Sequence, residues 1–185
     1  MRISFDLDSV LFDITPLYKR ACAEFGFTYH PPFDYDIYNA YPKNVATRLW
    51  ELFSDDILYT TPIISREYPV ILNNLLKNSK YDVFFVTQRV LKQPKKSFMQ
   101  LRNAGINCNL AQVYDNPTPK VDVLKQIKTD LHFDDSPHVV ADCIRDGVNI
   151  AMISNETTPY NHHLRNRVNY YSDLKTAMLK TGIIK

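Results

Sequence analysis

Two pairs of aspartates lie near opposite ends of the chain, each beside a short apolar run. Asp6 and Asp8 lie at the end of the first run. Asp134 and Asp135 directly follow Leu131–Phe133. If both runs are parallel strands, their carboxyl ends meet at one edge of a sheet, where the ligand crevice of such sheets lies. Carboxylates gathered there repel one another unless a cation is present. An oxygen-rich site of this kind suits Mg²⁺, which binds one or two carboxylates together with phosphate.

Two further side chains are suited to bind a phosphate group at the same edge. Thr87 ends the run Tyr81–Thr87, so its hydroxyl and the backbone amides after it can hold a phosphate oxygen. Lys120 lies in the first turn of a predicted helix, where a cation is unfavourable for the helix dipole. An anion bound at that helix N-terminus makes the placement favourable, because both groups attract it. Lys125 and Lys128 on the same helix are the alternatives to Lys120.

The strands that must position these side chains are predicted from short β-branched and aromatic runs. Such runs occur at Ile3–Leu7, Tyr81–Thr87, Leu110–Tyr114, Leu131–Phe133 and Val148–Ile153. Helical stretches lie between them; they begin at Pro94, at Thr118 with Pro119, and at Ser136 with Pro137. The first of these helices is predicted to end at Gly105 and the last at Gly147. Strands that alternate with helices predict a parallel sheet covered on both faces.

One long segment between the first two strands breaks this alternation. Residues 14–76 hold helical stretches near Pro16–Phe25, Lys43–Phe53 and Pro69–Lys77. They also hold 12 of the 23 aromatic residues, four of them in the loop Phe33–Tyr41. We therefore predict an α/β fold with a Rossmann-like parallel sheet, formed by residues 1–13 and 77–185 with helices on both faces. Residues 14–76 are predicted to form a small, mostly helical cap inserted after the first strand.

Composition narrows the classes of partner. The chain has 185 residues, 45% of them hydrophobic, and a formal net charge of +2, which excludes the strong global basicity of a nucleic-acid coat protein. Three widely spaced cysteines show no zinc pattern, and no apolar run approaches 18 residues. These features predict a cytoplasmic protein with a small-molecule substrate and neither a stable nucleic-acid partner nor a membrane partner. They leave the oligomeric state open.

The order of these polar residues resembles the haloacid dehalogenase superfamily of Mg²⁺-dependent phosphotransferases, across nearly the whole chain. Four elements carry the resemblance, in order: Asp6-Leu7-Asp8-Ser9-Val10, Thr87, Lys120 and Asp134-Asp135. The strings DLDSVLFD and DDSPH, and the insertion, look most like the branch of 5′(3′)-deoxyribonucleotidases. Two features depart from the family pattern. Ser9 stands where the family usually carries glycine, and only 14 residues separate Lys120 from Asp134.

The resemblance implies a covalent mechanism. Asp6 would be the nucleophile that forms an aspartyl-phosphate, and Asp8 would protonate the leaving group and then deprotonate the attacking water. The dehalogenase branch lacks an acid at the position of Asp8, so phosphoryl transfer is favoured over carbon–halogen cleavage.

The resemblance also implies how the phosphate and the metal would be held. Mg²⁺ would be bound by the Asp6 carboxylate, the Asp8 backbone carbonyl and Asp134. Lys120, with Thr87, would bind the phosphoryl oxygens. Asp135 would be a direct or water-mediated metal contact, or a residue that orients Lys120.

The resemblance implies a nucleoside monophosphate as substrate, and the cap loop offers aromatic faces on which a base can stack. Tyr35, Tyr38 and Tyr41 are the candidate base contacts, and Arg89 is a further candidate substrate contact. Two alternatives remain open at this point. The protein would hydrolyse another phosphomonoester, such as a sugar phosphate or a nucleic-acid 3′-phosphate end. Otherwise it would accept a phosphoryl group or bind a nucleotide without turnover, although an acid at Asp8 favours turnover.

Overall fold

The protein contains one six-stranded sheet in which every neighbouring pair of strands is parallel. The computed structural model describes residues 1–89, 93–115, 119–155, 158–166 and 168–185. The strands are β1 (Arg2–Phe5), β2 (Asp82–Thr87), β3 (Val113–Asp115), β4 (Leu131–Asp134), β5 (Ile150–Ile153) and β6 (Asn169–Tyr171). Their order in the sheet is β3-β2-β1-β4-β5-β6. The predicted Rossmann-like parallel sheet is therefore confirmed.

Helices connect the strands. They are α1 (Thr15–Glu24), α2 (Ile37–Ala40), α3 (Lys43–Phe53), α4 (Tyr68–Lys77), α5 (Pro94–Asn103), α6 (Lys120–Gln126), α7 (Pro137–Asp146) and α8 (Leu174–Lys180). Short 3₁₀ turns occupy Asp56–Thr60, Leu110–Gln112 and Pro159–Leu164.

The ends of α7 illustrate how local sequence sets the helix bounds. The Ser136 side chain accepts a hydrogen bond from the backbone N–H of Val139, and Pro137 occupies the first turn. Gly147 follows the last turn with φ of 72°, a left-handed conformation that glycine adopts without steric cost. The predicted helix that begins at Ser136 and ends at Gly147 is therefore confirmed. Thr118, which was predicted to begin the preceding helix, lies outside the described residues.

Apolar side chains cover both faces of the sheet. On one face Phe5 stacks on Phe133, with ring centroids 5.1 Å apart, and the buried cluster there includes Leu72 of α4, Leu101 of α5 and Ala177 of α8. On the other face, Val121 and Leu124 of α6 and Val140 and Cys143 of α7 are buried together with Val86 of β2 and Met152 of β5. Helices on both faces were predicted, and the structure confirms them.

The first three helices form a cluster of their own. Leu17 of α1, Ala40 of α2 and Leu49 of α3 are buried together, and Leu58 of the following 3₁₀ turn joins them. In contrast, α4 packs on the sheet through side chains such as Leu72. The packing groups α4 with the sheet, although the predicted cap segment includes most of this helix. The domain bounds at 14–76 stay a prediction.

Two terminal elements and one strand differ from the sequence expectation. Neither β6 nor α8 was predicted. Strand β6 has three residues, which is too short to show a period, and α8 has only seven. The run Leu110–Tyr114 forms a 3₁₀ turn over its first three residues, and only Val113–Asp115 pairs in the sheet. Within the described residues no helix has the length and apolar character needed to cross a membrane.

A cavity mutation tests whether the cap cluster is a separate unit. Leu49→Ala removes a fully buried side chain and is expected to lower the free energy of unfolding by about 2–5 kcal/mol. In hydrogen–deuterium exchange, amides of α1 and α3 should lose protection while those of β1 and β4 keep it. Leu124→Ala, in the cluster under α6 and α7, is the matched control and should affect the sheet instead. Equal loss of protection in the cap and the sheet for Leu49→Ala would contradict a separate cluster.

Candidate active site

The two acidic pairs meet at the switch point of the sheet. Strand β1 is followed in the chain by its neighbour on one side, β2, while β4 on its other side leads on to β5. The connections therefore diverge between β1 and β4, which opens a crevice at the carboxyl ends of these strands. Asp6 directly follows β1, and its N–H donates to the carbonyl of Phe133, 2.9 Å away. Asp134 is the last residue of β4.

Lys120 bridges the two strand ends. Its Nζ lies 2.7 Å from Asp6 Oδ1 and 2.6 Å from Asp134 Oδ2. All three side chains are buried, at 3% relative exposure for Lys120, 7% for Asp6 and 0% for Asp134. Helix α6 begins at Lys120 and has only seven residues, so the 14-residue spacing to Asp134 is long enough for one short helix and the turn into β4.

The pKa values of the two carboxyl groups shift in opposite directions. Burial raises the pKa of Asp6 above its usual range, although Lys120 opposes this effect. Burial also acts to raise the pKa of Asp134, but Lys120 and the hydrogen bond from His132 outweigh it and hold that pKa low, at about 2. For Lys120 the two carboxylates outweigh burial and raise its pKa, which keeps it charged. One positive charge, the Lys120 ammonium, thus lies between two buried acidic groups.

The donor set fits a magnesium ion. Asp6, Asp134 and Asp135 each offer a carboxylate oxygen, and these atoms lie within 4.8 Å of one another. Hard oxygen donors of this kind suit Mg²⁺. The side chain of Asp8 is not part of this group among the described residues, which is compatible with a metal contact through its backbone carbonyl only. Asp135 is also contacted from the 3₁₀ turn Pro159–Leu164, where Asn161 Nδ2 donates to its backbone carbonyl.

Arg89 binds Asp8 rather than facing the ligand space. Arg89 Nε lies 3.0 Å from Asp8 Oδ2, and Nη2 lies 2.6 Å from Asp8 Oδ1, which is a two-pronged pair. The remaining nitrogen, Nη1, donates to Gln100 Oε1 at 2.8 Å and to Ser97 Oγ at 3.2 Å. Arg89 is 2% exposed and is not among the described residues that line the cavity. Arg89 thus contacts Asp8, and the substrate contact expected of it stays a prediction.

Ser9, which stands where glycine was expected, adopts a left-handed backbone conformation. Its φ is 60°, in the left-handed region that glycine occupies most easily, and it is 3% exposed. Two hydrogen bonds hold this turn: Ser9 N–H donates to the carbonyl of Phe12 at 2.9 Å, and Asn155 Nδ2 donates to the carbonyl of Ser9 at 3.3 Å. The turn that follows Asp8 is thus kept with a serine.

A cavity of about 510 Å³ opens above these groups. The polar residues of its floor are Asp6, Asp8, Ser9, Thr87, Gln88, Lys120, Asp134, Asp135 and Ser136. Thr87 is 1% exposed at the end of β2. The other lining residues are mostly aromatic or aliphatic and come largely from the cap: Ile14, Tyr18, Tyr35, Asp36, Ile37, Tyr38, Trp50, Phe53, His138 and Tyr160.

The three candidate tyrosines of the cap loop have different surroundings. Tyr35 lies edge-on to His138 and Tyr160, and its hydroxyl accepts a hydrogen bond from Ser136 Oγ at 3.1 Å. Tyr38 lines the cavity and is 50% exposed. Tyr41 is 5% exposed, packs in the cap cluster and is absent from the described lining, because its hydroxyl donates inward to the carbonyl of His30. The structure therefore brings Tyr35 and Tyr38 to the cavity, but not Tyr41.

Sequence reasoning missed several residues of this site. His132 contacts Asp134, and the alternation of side chains along a strand places residues 132 and 134 on one face, so a signal was present. Trp50 and Phe53 are three residues apart on α3, a spacing that is typical of packing, yet both line the cavity. Tyr160 lies in a 3₁₀ turn and had no periodic signal.

Of the lysines on α6 and in the turn after it, Lys120 alone reaches the acidic groups in the described residues. Lys125 pairs with Asp146 at 3.0 Å and is half exposed, and Lys128 is exposed.

Lys120→Met is expected to lower the free energy of unfolding by about 3–5 kcal/mol in the presence of EDTA, because it leaves two buried carboxyl groups without their cation. Lys125→Met should change it by at most about 1 kcal/mol. Urea denaturation measures both, and equal losses for the two variants would contradict a buried bridge.

Comparison with known proteins supports the same architecture. No family model matches the chain. A Bacillus cereus protein described as "Putative nucleotidase" is 23% identical over 176 residues, which cover 89% of this chain and 90% of that protein. A haloacid dehalogenase-like hydrolase from Streptococcus pneumoniae superposes with a TM-score of 0.67 at 14% identity, over 98% of this chain and 97% of that one. A Clostridium difficile protein described as "Putative Phosphatase" superposes with a TM-score of 0.62 at 14% identity, over 99% and 98%.

These identities are low, so the solved structures speak to the fold. The superpositions extend over nearly the whole of this chain and of each solved chain. The chain therefore has the fold of the haloacid dehalogenase-like hydrolases.

Proposed function

We propose that the protein is a Mg²⁺-dependent phosphatase that hydrolyses nucleoside monophosphates through an aspartyl-phosphate on Asp6. The observation that carries this proposal is the joint position of Asp6, Lys120 and Asp134 beneath a cavity with an aromatic wall. Such a site offers a nucleophile and a cation at one end and stacking surfaces at the other. The hydrolase fold of the solved structures supports the reaction class.

In the first half-reaction, an Asp6 carboxylate oxygen attacks the phosphorus atom and forms an O–P bond. The bond between phosphorus and the leaving oxygen breaks, and the Asp8 carboxyl transfers its proton to that oxygen. Lys120 remains within hydrogen-bonding distance of Asp6 and offsets negative charge on the transferred group. When bound, Mg²⁺ would be held by Asp6, Asp134 and the Asp8 backbone carbonyl, with Asp135 nearby, and would supply further charge neutralisation.

In the second half-reaction, water attacks the phosphorus atom and gives a proton to Asp8. The O–P bond to Asp6 breaks, which releases inorganic phosphate and restores the carboxylate. Each Asp8 oxygen accepts one hydrogen bond from Arg89, which leaves a further lone pair on each oxygen for the proton, and Asp8 lines the cavity. We infer that Arg89 defines the resting orientation of Asp8.

The cavity favours a substrate with one phosphate and a flat ring. Among the described lining residues, Lys120 is the single lysine or arginine, whereas several aspartates line the same space. A second phosphate would therefore lack a lysine or arginine partner among these described residues. Tyr38 and Trp50 present ring surface, and stacking on aromatic side chains tolerates different bases. The Bacillus cereus relative described as "Putative nucleotidase" supports the same substrate class.

A substrate panel tests the activity. Phosphate release with Mg²⁺ should be faster for nucleoside monophosphates than for sugar phosphates or 3′-phosphorylated oligonucleotides. A sugar phosphate has no base to stack on the aromatic wall, and an oligonucleotide is too large for the cavity. Asp6→Asn should lower kcat by at least about 1,000-fold, since it removes the nucleophile. Asp56→Asn, an exposed cap aspartate paired with Lys96, is the control and should retain activity. Absence of phosphate release from every substrate, or full activity in Asp6→Asn, would refute the proposal.

The aromatic wall is tested separately. Trp50→Ala is expected to raise KM for a nucleoside monophosphate about tenfold with a smaller change in kcat, because a stacking contact contributes about 1–3 kcal/mol. Phe33→Ala is the matched control, since Phe33 is an exposed cap aromatic that is not among the described lining residues. Steady-state kinetics at several substrate concentrations give both constants. An equal rise in KM for the two variants, or none for Trp50→Ala, would count against base stacking on this wall.

A further inference from the structure

The Asp134 carboxylate accepts hydrogen bonds from three donors, which is more than its role as a metal ligand requires. Oδ2 accepts hydrogen bonds from Lys120 Nζ at 2.6 Å and from His132 Nε2 at 2.9 Å. Oδ1 accepts one from the backbone N–H of Ser136 at 2.8 Å. A carboxylate has about four lone-pair positions, so these three donors leave one for a metal. The torsion that rotates an aspartate carboxylate is broad, and donors on both oxygens are what fix it.

His132 differs from its neighbours in the sheet. It is 0% exposed on central strand β4, on the face that packs mainly apolar side chains against α6 and α7. Its register partner on β1 is Ser4, which is also 0% exposed. A polar pair buried at this place costs free energy unless its hydrogen bonds are made, and an apolar pair would fill the same space. The pair is therefore better explained by what it does for Asp134 than by packing.

The contacts of the ring define which nitrogen faces Asp134. An ionised carboxylate only accepts hydrogen bonds, so His132 Nε2 must carry the hydrogen that faces Asp134. Because Nε2 faces Asp134, Nδ1 is the ring nitrogen that faces Ser4. Ser4 Oγ lies 2.8 Å from Nδ1, and the Ser4 carbonyl oxygen lies 3.2 Å from it, so two oxygens of one residue hold this side of the ring. Thr129 Oγ1, 3.3 Å from Ser4 Oγ, ends the chain of contacts.

We propose that His132, held by Ser4, is a positioning residue that fixes the Asp134 carboxylate in the orientation in which it binds Mg²⁺. This inference rests on the metal site of the proposed function. The rigid ring approaches Oδ2 from within the sheet, whereas Lys120 is shared with Asp6 and cannot by itself define the rotation of Asp134. Loss of a partner that orients a metal ligand typically weakens metal binding 10–100-fold.

Calorimetric titration with Mg²⁺ alone tests the proposal without any substrate. His132→Leu is expected to raise the Kd for Mg²⁺ about 10–100-fold, and His132→Gln, whose amide can place an N–H near Asp134, should stay within about threefold of the wild type. Ser4→Ala keeps the ring and should raise Kd about 3–10-fold, because it removes the hydroxyl that holds the ring at Nδ1. Thr129→Ala is the matched control at the far end and should leave Kd unchanged.

The outcomes separate the two proposals. Wild-type protein that binds no Mg²⁺ would overturn both the metal site and the positioning role. Wild-type binding with unchanged Kd in His132→Leu and in Ser4→Ala would overturn the positioning role alone. If His132→Leu does not fold, Ser4→Ala decides. Nitrogen-15 NMR of the wild-type imidazole in the absence of metal is a second readout: protonated Nε2 supports the proposal, and unprotonated Nε2 overturns it.

Discussion

Lys120 lies between two buried carboxyl groups at the point where the sheet divides, and the surrounding structure is arranged around this contact. Two acidic groups and one ammonium, each at most 7% exposed, leave an excess of negative charge. Burial of such charges is costly unless they are paired and hydrogen-bonded. The remaining donors, from His132 and the Ser136 backbone, act on Asp134, while the pKa of Asp6 rises. A divalent cation bound at Asp6 and Asp134 would offset the excess. The free-energy cost of burying these carboxylates is therefore lowered when the site holds the metal proposed for catalysis.

The cap complements this acidic floor with a wall of different chemistry. Its ring side chains add no positive charge and leave Lys120 as the cation of the described lining. Asp8 connects the two regions, because Arg89, which binds it, also lies 5.0 Å from the ring of Tyr59 in the cap. Gln100, which binds Arg89, donates to Thr61 Oγ1 at the end of the cap. The resting orientation of the proposed acid–base group therefore depends on where the cap segment returns to the sheet.

Local sequence was sufficient to predict the sheet apart from β6, the helices apart from α2 and α8, and the meeting of the two acidic pairs. Strand ends and helix caps are short-range signals, and the parallel arrangement then brings Asp6, Lys120 and Asp134 to one edge. The surroundings of the cap residues were not predictable in this way. Whether Tyr41 faces inward and Trp50 faces the cavity depends on how three short helices pack, which periodicity alone does not determine. The Asp8 partner was missed because the contact joins residues 81 positions apart.

The most direct test of the central claim is chemical trapping of the covalent intermediate. Wild-type protein is mixed with Mg²⁺ and a nucleoside monophosphate, quenched in acid and reduced with borohydride, which converts an aspartyl-phosphate to homoserine. Peptide mass spectrometry then locates the modified residue. The proposed mechanism predicts homoserine at position 6 only, and its absence when substrate is omitted. Substrate turnover without modification at Asp6, or with modification at another aspartate, would contradict it.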